Sequence, residues 1–361
     1  MKKTIIALAV LAASAASGIA SAQSTVTLYG LADVYVGSTT TKQSPRGGAS
    51  TSERKTVIDS GGFNGSRFGL KGSEDLGGGL KANFLLEGGY DISTGAANSY
   101  VSPYNFNTFT DPDGKRSGVK SNATFGRNAW VGVSSSFGEV KLGNMWTPYD
   151  EVKGSGAGAF DAFIFAPANN VWKSNGYQFN PGNAIYFATP NVSGFSAAGM
   201  VSFGENKTAT INAGGIGSMN VQFASGPVAV AFAYQIEKQG GATATEPNKV
   251  KFTQLNGSYD LGAAKLLAAY GNVKVGDLKT NEFQIGVDVP LGGVLTVSGG
   301  FASSKTKSTA GSESKRSGFG LAAKYDVSKR TFLYTGLKLA KQKEGTETKT
   351  NTFAAGVQHR F

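Results

Sequence analysis

Apolar and polar residues alternate one by one along most of this chain. Between positions 228 and 237, Val228, Val230 and Phe232 alternate with small or polar residues, and Phe283 and Ile285 repeat the pattern in 282–289. A period of two places each set on one face of a β-strand, whereas a helix would repeat every 3.6 residues. No convincing helical stripe is present, so the sequence predicts an all-β fold.

Turn-forming residues divide the chain at regular intervals. Seven short turns rich in Gly, Asp or Pro are predicted at 74–79, 135–139, 189–194, 225–227, 259–263, 290–293 and 326–329. Eight longer polar connections alternate with them, at 38–62, 91–121, 146–180, 205–214, 239–248, 274–279, 304–315 and 341–350. Seven short and eight long connections, strictly interleaved, join 16 strands in an up-and-down meander, with all short turns at one end. The 51 glycines are attributed to such tight turns.

An even number of strands brings both termini to the same end, so the last strand (352–361) can pair with the first (25–36). Strands of about ten residues cross a bilayer when tilted. Because lipid offers the backbone no hydrogen bonds, a membrane β-structure must close, and a barrel of about 16 strands holds water inside. A soluble sandwich or propeller is the alternative, and it would show short connections at both ends.

The first 22 residues have the layout of a secretory signal peptide. Lys2 and Lys3 precede a short apolar stretch, and small residues lead up to Ala22, after which we expect cleavage. The predicted domains are a signal peptide, 1–22, read by the Sec pathway, and a barrel domain, 23–361. No later stretch approaches the length of a membrane-spanning helix.

Composition excludes several kinds of site. The chain has no Cys and a single His, His359. Disulfides, thiol catalysis and metal sites built from Cys or several His are therefore excluded, and we expect no metal site and no cofactor. The formal net charge is +11, but the basic residues are scattered, so nucleic acid is not expected as a partner.

Six segments form a recognisable set: STVTLYGLADV (24–34), SRFGLKGSEDLGGGLKANFLLE (66–87), FGRNAWVGVSSSFGEVKLGNMWTP (125–148), NAIYFATPNVSGFS (183–196), YDVSKRTFLYTGL (325–337) and the terminal GVQHRF (356–361). Together they resemble the trimeric general-diffusion porins of Gram-negative outer membranes, in the branch typical of beta-proteobacteria. The resemblance implies a 16-stranded antiparallel transmembrane β-barrel in the outer membrane. It also implies a homotrimer whose water-filled channels pass small hydrophilic solutes and ions by passive diffusion, without catalysis.

By its order after the fifth strand, the segment 146–181 resembles the loop that folds into the lumen of these porins and constricts the channel. Its many apolar residues agree, since a freely solvated loop would not carry them. The acidic residues of this constriction loop are Asp150, Glu151 and Asp161.

The barrel wall offers basic residues across the lumen. Arg67, Lys71 and Lys81 alternate with apolar neighbours and should therefore point into water. Arg127 shares the parity of apolar residues, and it faces the lumen if Trp130 faces the membrane.

Opposed acids and bases across a narrow channel create a transverse field, and the excess of cations favours anions. The sequence departs from the resemblance at Asn144 and Asn180, where family members commonly carry arginine. We therefore expect only a mild anion preference.

The terminal Phe361 resembles the signal that the outer-membrane assembly machinery reads, and it is equally compatible with an aromatic residue at the membrane interface. The expected partners are a homotrimer, outer-membrane lipid and lipopolysaccharide, the barrel-assembly machinery and small solutes.

Two alternatives stay open. Trp146, Trp172 and Tyr177 are candidates for an aromatic path in a channel specific for a sugar or an anion. An outer-membrane hydrolase would have to use His359, but this residue shares the parity of Phe361 and is expected on the outer face.

Overall fold

The computed structural model describes residues 25–97, 123–152, 164–169, 171–204, 214–238, 249–308, 311 and 313–361. The predicted signal peptide 1–22, its cleavage point at Ala22 and the predicted loop acid Asp161 lie outside these residues.

Within the described ranges, seventeen antiparallel strands form one continuous sheet. They are β1 (Thr25–Ser44), β2 (Thr51–Ser60), β3 (Arg67–Gly77), β4 (Leu80–Gly89), β5 (Asn128–Ser135), β6 (Gly138–Asn144), β7 (Ala184–Ala188), β8 (Phe195–Phe203), β9 (Gly215–Ser225), β10 (Val228–Lys238), β11 (Lys249–Asp260), β12 (Lys265–Val275), β13 (Leu278–Leu291), β14 (Leu295–Lys307), β15 (Glu313–Asp326), β16 (Thr331–Glu344) and β17 (Thr346–Arg360). A short helix α1 (Pro148–Glu151) and a 3-10 turn (Lys173–Gly176) lie between β6 and β7. None of the helical segments in these ranges is long and apolar enough to cross a membrane.

β2 and β3 occupy a single position in the wall. β1 pairs with β2 from Val34 onward and with β3 up to Leu31. Residues 61–66 bulge out of the ladder between them, and the Asp33 carboxylate holds this bulge by accepting a hydrogen bond of 2.9 Å from the backbone N–H of Asn64. The described strands therefore occupy 16 positions in the wall, which confirms the predicted number.

The first and last strands close the sheet into a barrel. Leu31 pairs with Arg360, and Gly30 and Phe361 exchange two backbone hydrogen bonds of 3.1 Å each. The Phe361 ring lies against Gly30, where a Cβ would come within 2.4 Å of it. Glycine at this position therefore lets the terminal aromatic ring pack across the closing seam, where both strand edges are paired.

Residue alternation gives the wall two chemically different faces. Along β10, Val230 and Phe232 are exposed on the outer face, whereas Ala233, Gln235 and Glu237 are buried on the inner face. Exposed apolar side chains recur on the outer face of most strands. An apolar outside and a polar inside are what a barrel in a lipid bilayer requires.

Short and long connections alternate between the two ends, but three segments predicted as long connections are largely strand. The connection predicted at 274–279 is only Gly276 and Asp277, that at 341–350 is only Gly345, and the first, predicted at 38–62, is only 45–50. These strands continue beyond the apolar band, where both faces contact water and polar residues suit either face. Polarity there marks the end of the lipid-facing surface and not the end of the strand.

Candidate functional site

The connection between β6 and β7 folds back into the barrel and packs on its inner wall. Thr147 caps α1 by accepting a hydrogen bond from the backbone N–H of Asp150. The ring of Tyr149, fully buried, lies 6.0 Å from that of Phe252 on β11. The start of this internal loop is thus fixed to the inner wall.

The returning part of the internal loop follows the wall from β16 back toward β10. Phe165 packs on Tyr334, with ring centroids 6.3 Å apart. Further along, a Cβ at Gly320 of β15 would lie 2.0 Å from the Phe165 carbonyl oxygen, and one at Gly318 would lie 2.5 Å from that of Pro167. Glycines on the inner wall therefore allow the loop backbone to touch it, and the loop lies inside the barrel as predicted.

Glu282 of β13 anchors the middle of the internal loop. Its carboxylate accepts hydrogen bonds from the backbone N–H groups of Lys173 and Ser174, the second at 3.1 Å. The Lys173 ammonium lies 3.7 Å from the Glu344 carboxylate. Burial lowers the pKa of Lys173, although Glu344 opposes the shift. A buried carboxylate with several donors holds the loop at one place on the wall.

Glu87 of β4 joins two of the predicted basic residues. Arg127 Nε donates to its carboxylate at 2.8 Å, and Arg67 Nε lies 3.5 Å from it. Tyr29 Oη donates to the same group at 2.8 Å. The Arg127 guanidinium also lies 4.9 Å from the centroid of the Trp146 ring. We call Arg67, Glu87 and Arg127 the arginine cluster; two guanidinium groups share one carboxylate, so it keeps one net positive charge.

The two predicted lysines lie nearer the short-turn end of the same wall. Lys71 is opposite Thr27 and its ammonium lies 5.3 Å from the centroid of the Tyr29 ring. Lys81 is opposite Asp75, just after the turn that joins β3 and β4. Both residues are exposed on the inner face. They lie toward the mouth of the barrel and not beside the arginine cluster.

The described loop acids, Asp150 and Glu151, lie on α1. Asp150 accepts a hydrogen bond from Tyr177 Oη, and Glu151 accepts from Tyr186 Oη at 2.8 Å and Asn220 Nδ2 at 3.0 Å. Enclosure by the barrel raises the pKa of Glu151, although both hydrogen bonds favour its charged form. Glu151 is nevertheless exposed to the interior. The strands that bind it, β7 and β9, are not those that carry the arginine cluster.

Asn144 and Asn180 converge on one backbone segment. Asn144 Nδ2 donates to the Gly126 carbonyl oxygen at 3.2 Å, and Asn180 Nδ2 donates to the same oxygen at 2.9 Å and to that of Arg127 at 3.3 Å. Both asparagines are buried. Where the resemblance leads one to expect two cations, the chain has two neutral groups that position the backbone of Arg127.

Trp130 faces the interior of the barrel and not the membrane. The Lys141 ammonium lies 4.8 Å from the ring centroids of both Trp130 and Tyr186, on the inner face. Arg127 nevertheless reaches the interior, because β5 begins only at Asn128 and strand parity does not apply before it. The condition stated for Arg127, that Trp130 faces the membrane, is therefore not met, and Arg127 reaches the interior for a different reason.

Sequence reasoning also missed Glu87 as a partner of the basic residues. The available signal is its parity, since it shares the inward positions of Lys81 and Asn83 on β4. An inward carboxylate between two inward arginines pairs with both of them.

The residues that the alternative functions would use are either packed in the internal loop or on the outer face of the barrel. Trp172 and Tyr177 are only 2% and 3% exposed, because they pack between the loop and the wall. Trp146 stacks on Phe179, with ring centroids 5.1 Å apart. His359 is exposed on the outer face, with Nδ1 2.9 Å from Thr331 Oγ1. In the described part of the loop, Trp172 and Tyr177 therefore do not line an open path, and His359 lies outside the barrel.

A closed barrel of 16 strands with a loop packed on its inner wall defines a transmembrane diffusion channel. The chain belongs to the Gram-negative porin family, which matches residues 7–345. It is 36% identical over 381 residues to outer membrane porin protein 32 of Delftia acidovorans, covering 99% of this chain and 95% of that protein. It is 30% identical over 418 residues to an outer membrane porin protein of Bordetella pertussis, covering all of both chains.

Comparison with solved structures supports the same assignment. The anion-selective porin from Comamonas acidovorans matches with a TM-score of 0.72 and 27% identity, covering 94% of this chain and 100% of that one. OmpT of Vibrio cholerae matches with a TM-score of 0.65 and 14% identity, covering 94% and 98%, which shows the fold alone. The protein is an outer-membrane porin, and the interior described above is its channel.

Proposed function

We propose that this porin passes small hydrophilic solutes and ions by passive diffusion, with a mild preference for anions. The observation that carries the proposal is the arginine cluster, in which the partly exposed Arg67 and the buried Arg127 share one carboxylate on the inner wall. The remaining positive charge attracts anions where low-dielectric walls strengthen its field. The similar porin from Comamonas acidovorans is anion-selective, which supports the same direction.

The preference is mild because much of the charge is compensated. Glu87 offsets one of the arginines, and Asn144 and Asn180 contribute none. We assign the main selectivity role to Arg67 and Arg127, a weaker entrance role to Lys71 and Lys81, and the opposing negative role to Asp150, Glu151 and Asp161.

The reversal potential of single channels in a KCl gradient tests this proposal. The wild type should show a potential of the sign expected for anion preference, and Arg67→Gln should move it toward cations. Lys81→Gln removes the same charge at the mouth and should move it less. A cation-selective wild type, or an Arg67→Gln potential equal to that of the wild type, would refute the assignment.

Solute block separates general diffusion from a specific channel. Conductance that rises in proportion to salt, without concentration-dependent block by sugars or phosphate, is expected for general diffusion. Saturable block would favour the specific channel, although Trp172 and Tyr177 are buried. The channel is proposed to act without catalysis or cofactor, and the absence of esterase turnover by the refolded protein would support this.

We further propose the assembly route that the sequence suggests. Cleavage after Ala22 releases the barrel domain 23–361, the barrel-assembly machinery reads Phe361, and three copies associate in contact with lipid and lipopolysaccharide. Mass spectrometry of the membrane-purified protein gives the cleavage point. Unheated electrophoresis should show a large species that collapses on boiling, and deletion of Phe361 should reduce its amount while assembled channels keep their conductance.

A further inference from the structure

The outer face of the barrel carries a row of four lysines in direct cross-strand register. Lys251 on β11, Lys274 on β12, Lys279 on β13 and Lys307 on β14 are successive partners. All four are exposed. Like charges placed directly opposite one another in a sheet destabilise it. We call these four residues the lysine row. Anions bound beside it would relieve the repulsion between its charges.

One described carboxylate, Glu313 of β15, lies directly opposite Lys307, but its ion pairs are with Lys305 at 2.8 Å and Lys315 at 2.9 Å. None of the four lysines forms an ion pair with a described carboxylate, and Asp277 in the turn between β12 and β13 pairs with neither neighbour. By contrast, the outward lysines Lys341, Lys343 and Lys349 all pair with Glu347, at 3.0 to 3.4 Å.

Directly below the lysine row the surface changes from polar to apolar. The next outward row contains Thr253, Asn272 and Asn281, and a hydrogen bond of 2.9 Å links the two asparagine amides. On β14 this row continues with Lys305, whose charge is paired with Glu313 at 2.8 Å. Leu255 and Phe283 follow in the row after that, both exposed. On β11 to β13, charged, neutral polar and apolar rows in this order match the passage from a lipid headgroup to hydrocarbon.

The apolar surface below these rows contains a hollow of about 830 Å³. Small outward residues form its floor, and larger side chains rise around it; they include Gly257, Ala268, Gly299, Leu266, Ile285 and Phe301. The hollow lies on the same strands as the lysine row. From Lys251 to Gly257 the strand rises about 20 Å, which is about 15 Å along the membrane normal at the usual tilt. That is about half the hydrocarbon thickness of a bilayer, and hence one leaflet.

We propose that strands β11 to β14 form a binding site for a phosphorylated lipid of the outer leaflet. The lysine row binds the phosphate groups, the Asn and Thr row contacts the neutral part of the headgroup, and the hollow receives an acyl chain. The leaflet is the outer one because the lysine row lies at the end of the barrel that carries the longer loops. This site depends on the outer-membrane location and not on the proposed anion preference of the channel.

Binding of bis-phosphorylated lipid A to the folded protein in detergent, followed by native mass spectrometry, tests the headgroup contact. We expect the wild type to bind this lipid more tightly than the same lipid without its phosphates. Lys274→Gln, Lys279→Gln and Lys307→Gln together should weaken binding about 100-fold, at about fivefold for each lysine near an anionic headgroup. Lys341→Gln, Lys343→Gln and Lys349→Gln are the control, which removes three outward lysines that already have a carboxylate partner.

Equal weakening in the two triple variants, or equal binding of the lipid with and without phosphates, would overturn the proposal. Inorganic phosphate should compete weakly, because it has no acyl chain; complete competition at low concentration would indicate a simple anion site and would also overturn it. Channel conductance, measured on the same preparations, should stay unchanged and reports that each variant is folded.

A second pair of variants tests the hollow. A Cβ at Gly257 or Gly299 has no neighbour closer than 3.7 Å, so Gly257→Leu and Gly299→Leu fill the hollow without a clash. Together they should weaken binding of the lipid both with and without phosphates. Gly199→Leu is the control, since it lies on β8 and a Cβ there has no neighbour within 4 Å. Wild-type affinity in the double leucine variant would refute the acyl-chain contact.

Discussion

Replacing Glu87 by glutamine removes the carboxylate charge that Arg67 and Arg127 share and keeps the size of the side chain. The arginine cluster then carries two positive charges beside the channel instead of one. We expect the ratio of chloride to potassium permeability to rise, because passing anions are attracted more strongly and cations are repelled more strongly.

Coulomb's law gives the size of this effect. The interaction of an ion with a unit charge about 7 Å away is about 0.6 kcal/mol in water, and a Debye length of about 10 Å at 0.1 M salt halves it. Because the energies of anion and cation move in opposite directions, the permeability ratio changes by about 0.6 kcal/mol, or about threefold. Low-dielectric walls strengthen the field, so about threefold is the lower bound.

The reversal potential in a KCl gradient across a planar bilayer measures this ratio. Glu139→Gln is the matched control, since it removes the same charge from the inner wall beside Lys141, 2.9 Å away, but close to the turn between β5 and β6. We expect a smaller shift for the control. Equal shifts in both variants, or no shift in Glu87→Gln, would refute the role of the arginine cluster.

Three further predictions follow from the loop and its contacts. Gly320→Val should displace the loop, because a Cβ there lies 2.0 Å from the Phe165 carbonyl oxygen. Single-channel recordings should then show larger or noisier conductance. Gly299 points outward, so Gly299→Val is the control and should leave the conductance unchanged. Mild acidification should strengthen the anion preference. The pKa of Glu151 is raised, so this residue takes up a proton and loses its negative charge at a higher pH than an ordinary glutamate. The resulting pH dependence of the reversal potential should diminish in Glu151→Gln. Asn180→Ala leaves the Gly126 and Arg127 carbonyl groups with one donor fewer and should destabilise the barrel by about 1–3 kcal/mol, seen as a lower temperature at which the folded band disappears on electrophoresis.

The strand count could be predicted because its determinants are local. Alternation along one strand and turn residues between two strands need no knowledge of distant contacts, and both are written in short stretches of sequence. The same parity assigns Arg67 and Lys81 to the inner face, the face that also carries Glu87 in the register of β3 and β4. It gives no rule for Arg127, which lies just before β5 and outside the alternation of that strand.

The charge balance of the channel could not be predicted in the same way. Glu87 and Arg127 are 40 positions apart, and Glu282 meets Lys173 across 109 positions, so each contact depends on how the barrel closes. From the sequence alone, Asn144 and Asn180 are only neutral residues at positions where the resemblance leads one to expect arginine. Their shared contact with Gly126 becomes visible only when β6, the internal loop and the start of β5 are brought together.

The positions of glycines within strands give information about the internal loop that the turn pattern does not use. The turn pattern attributes the 51 glycines to tight turns, yet Gly318 and Gly320 lie within β15 on inward positions, against the loop carbonyl groups of Pro167 and Phe165. Gly299, in the neighbouring strand, points outward and has no close neighbour. The two kinds of glycine differ only in the face to which their position belongs. Since parity can be read from sequence, small residues at inward positions indicate where an internal loop can touch the wall. In this chain Gly271, Gly300, Gly318 and Gly320, on β12, β14 and β15, all lie against it.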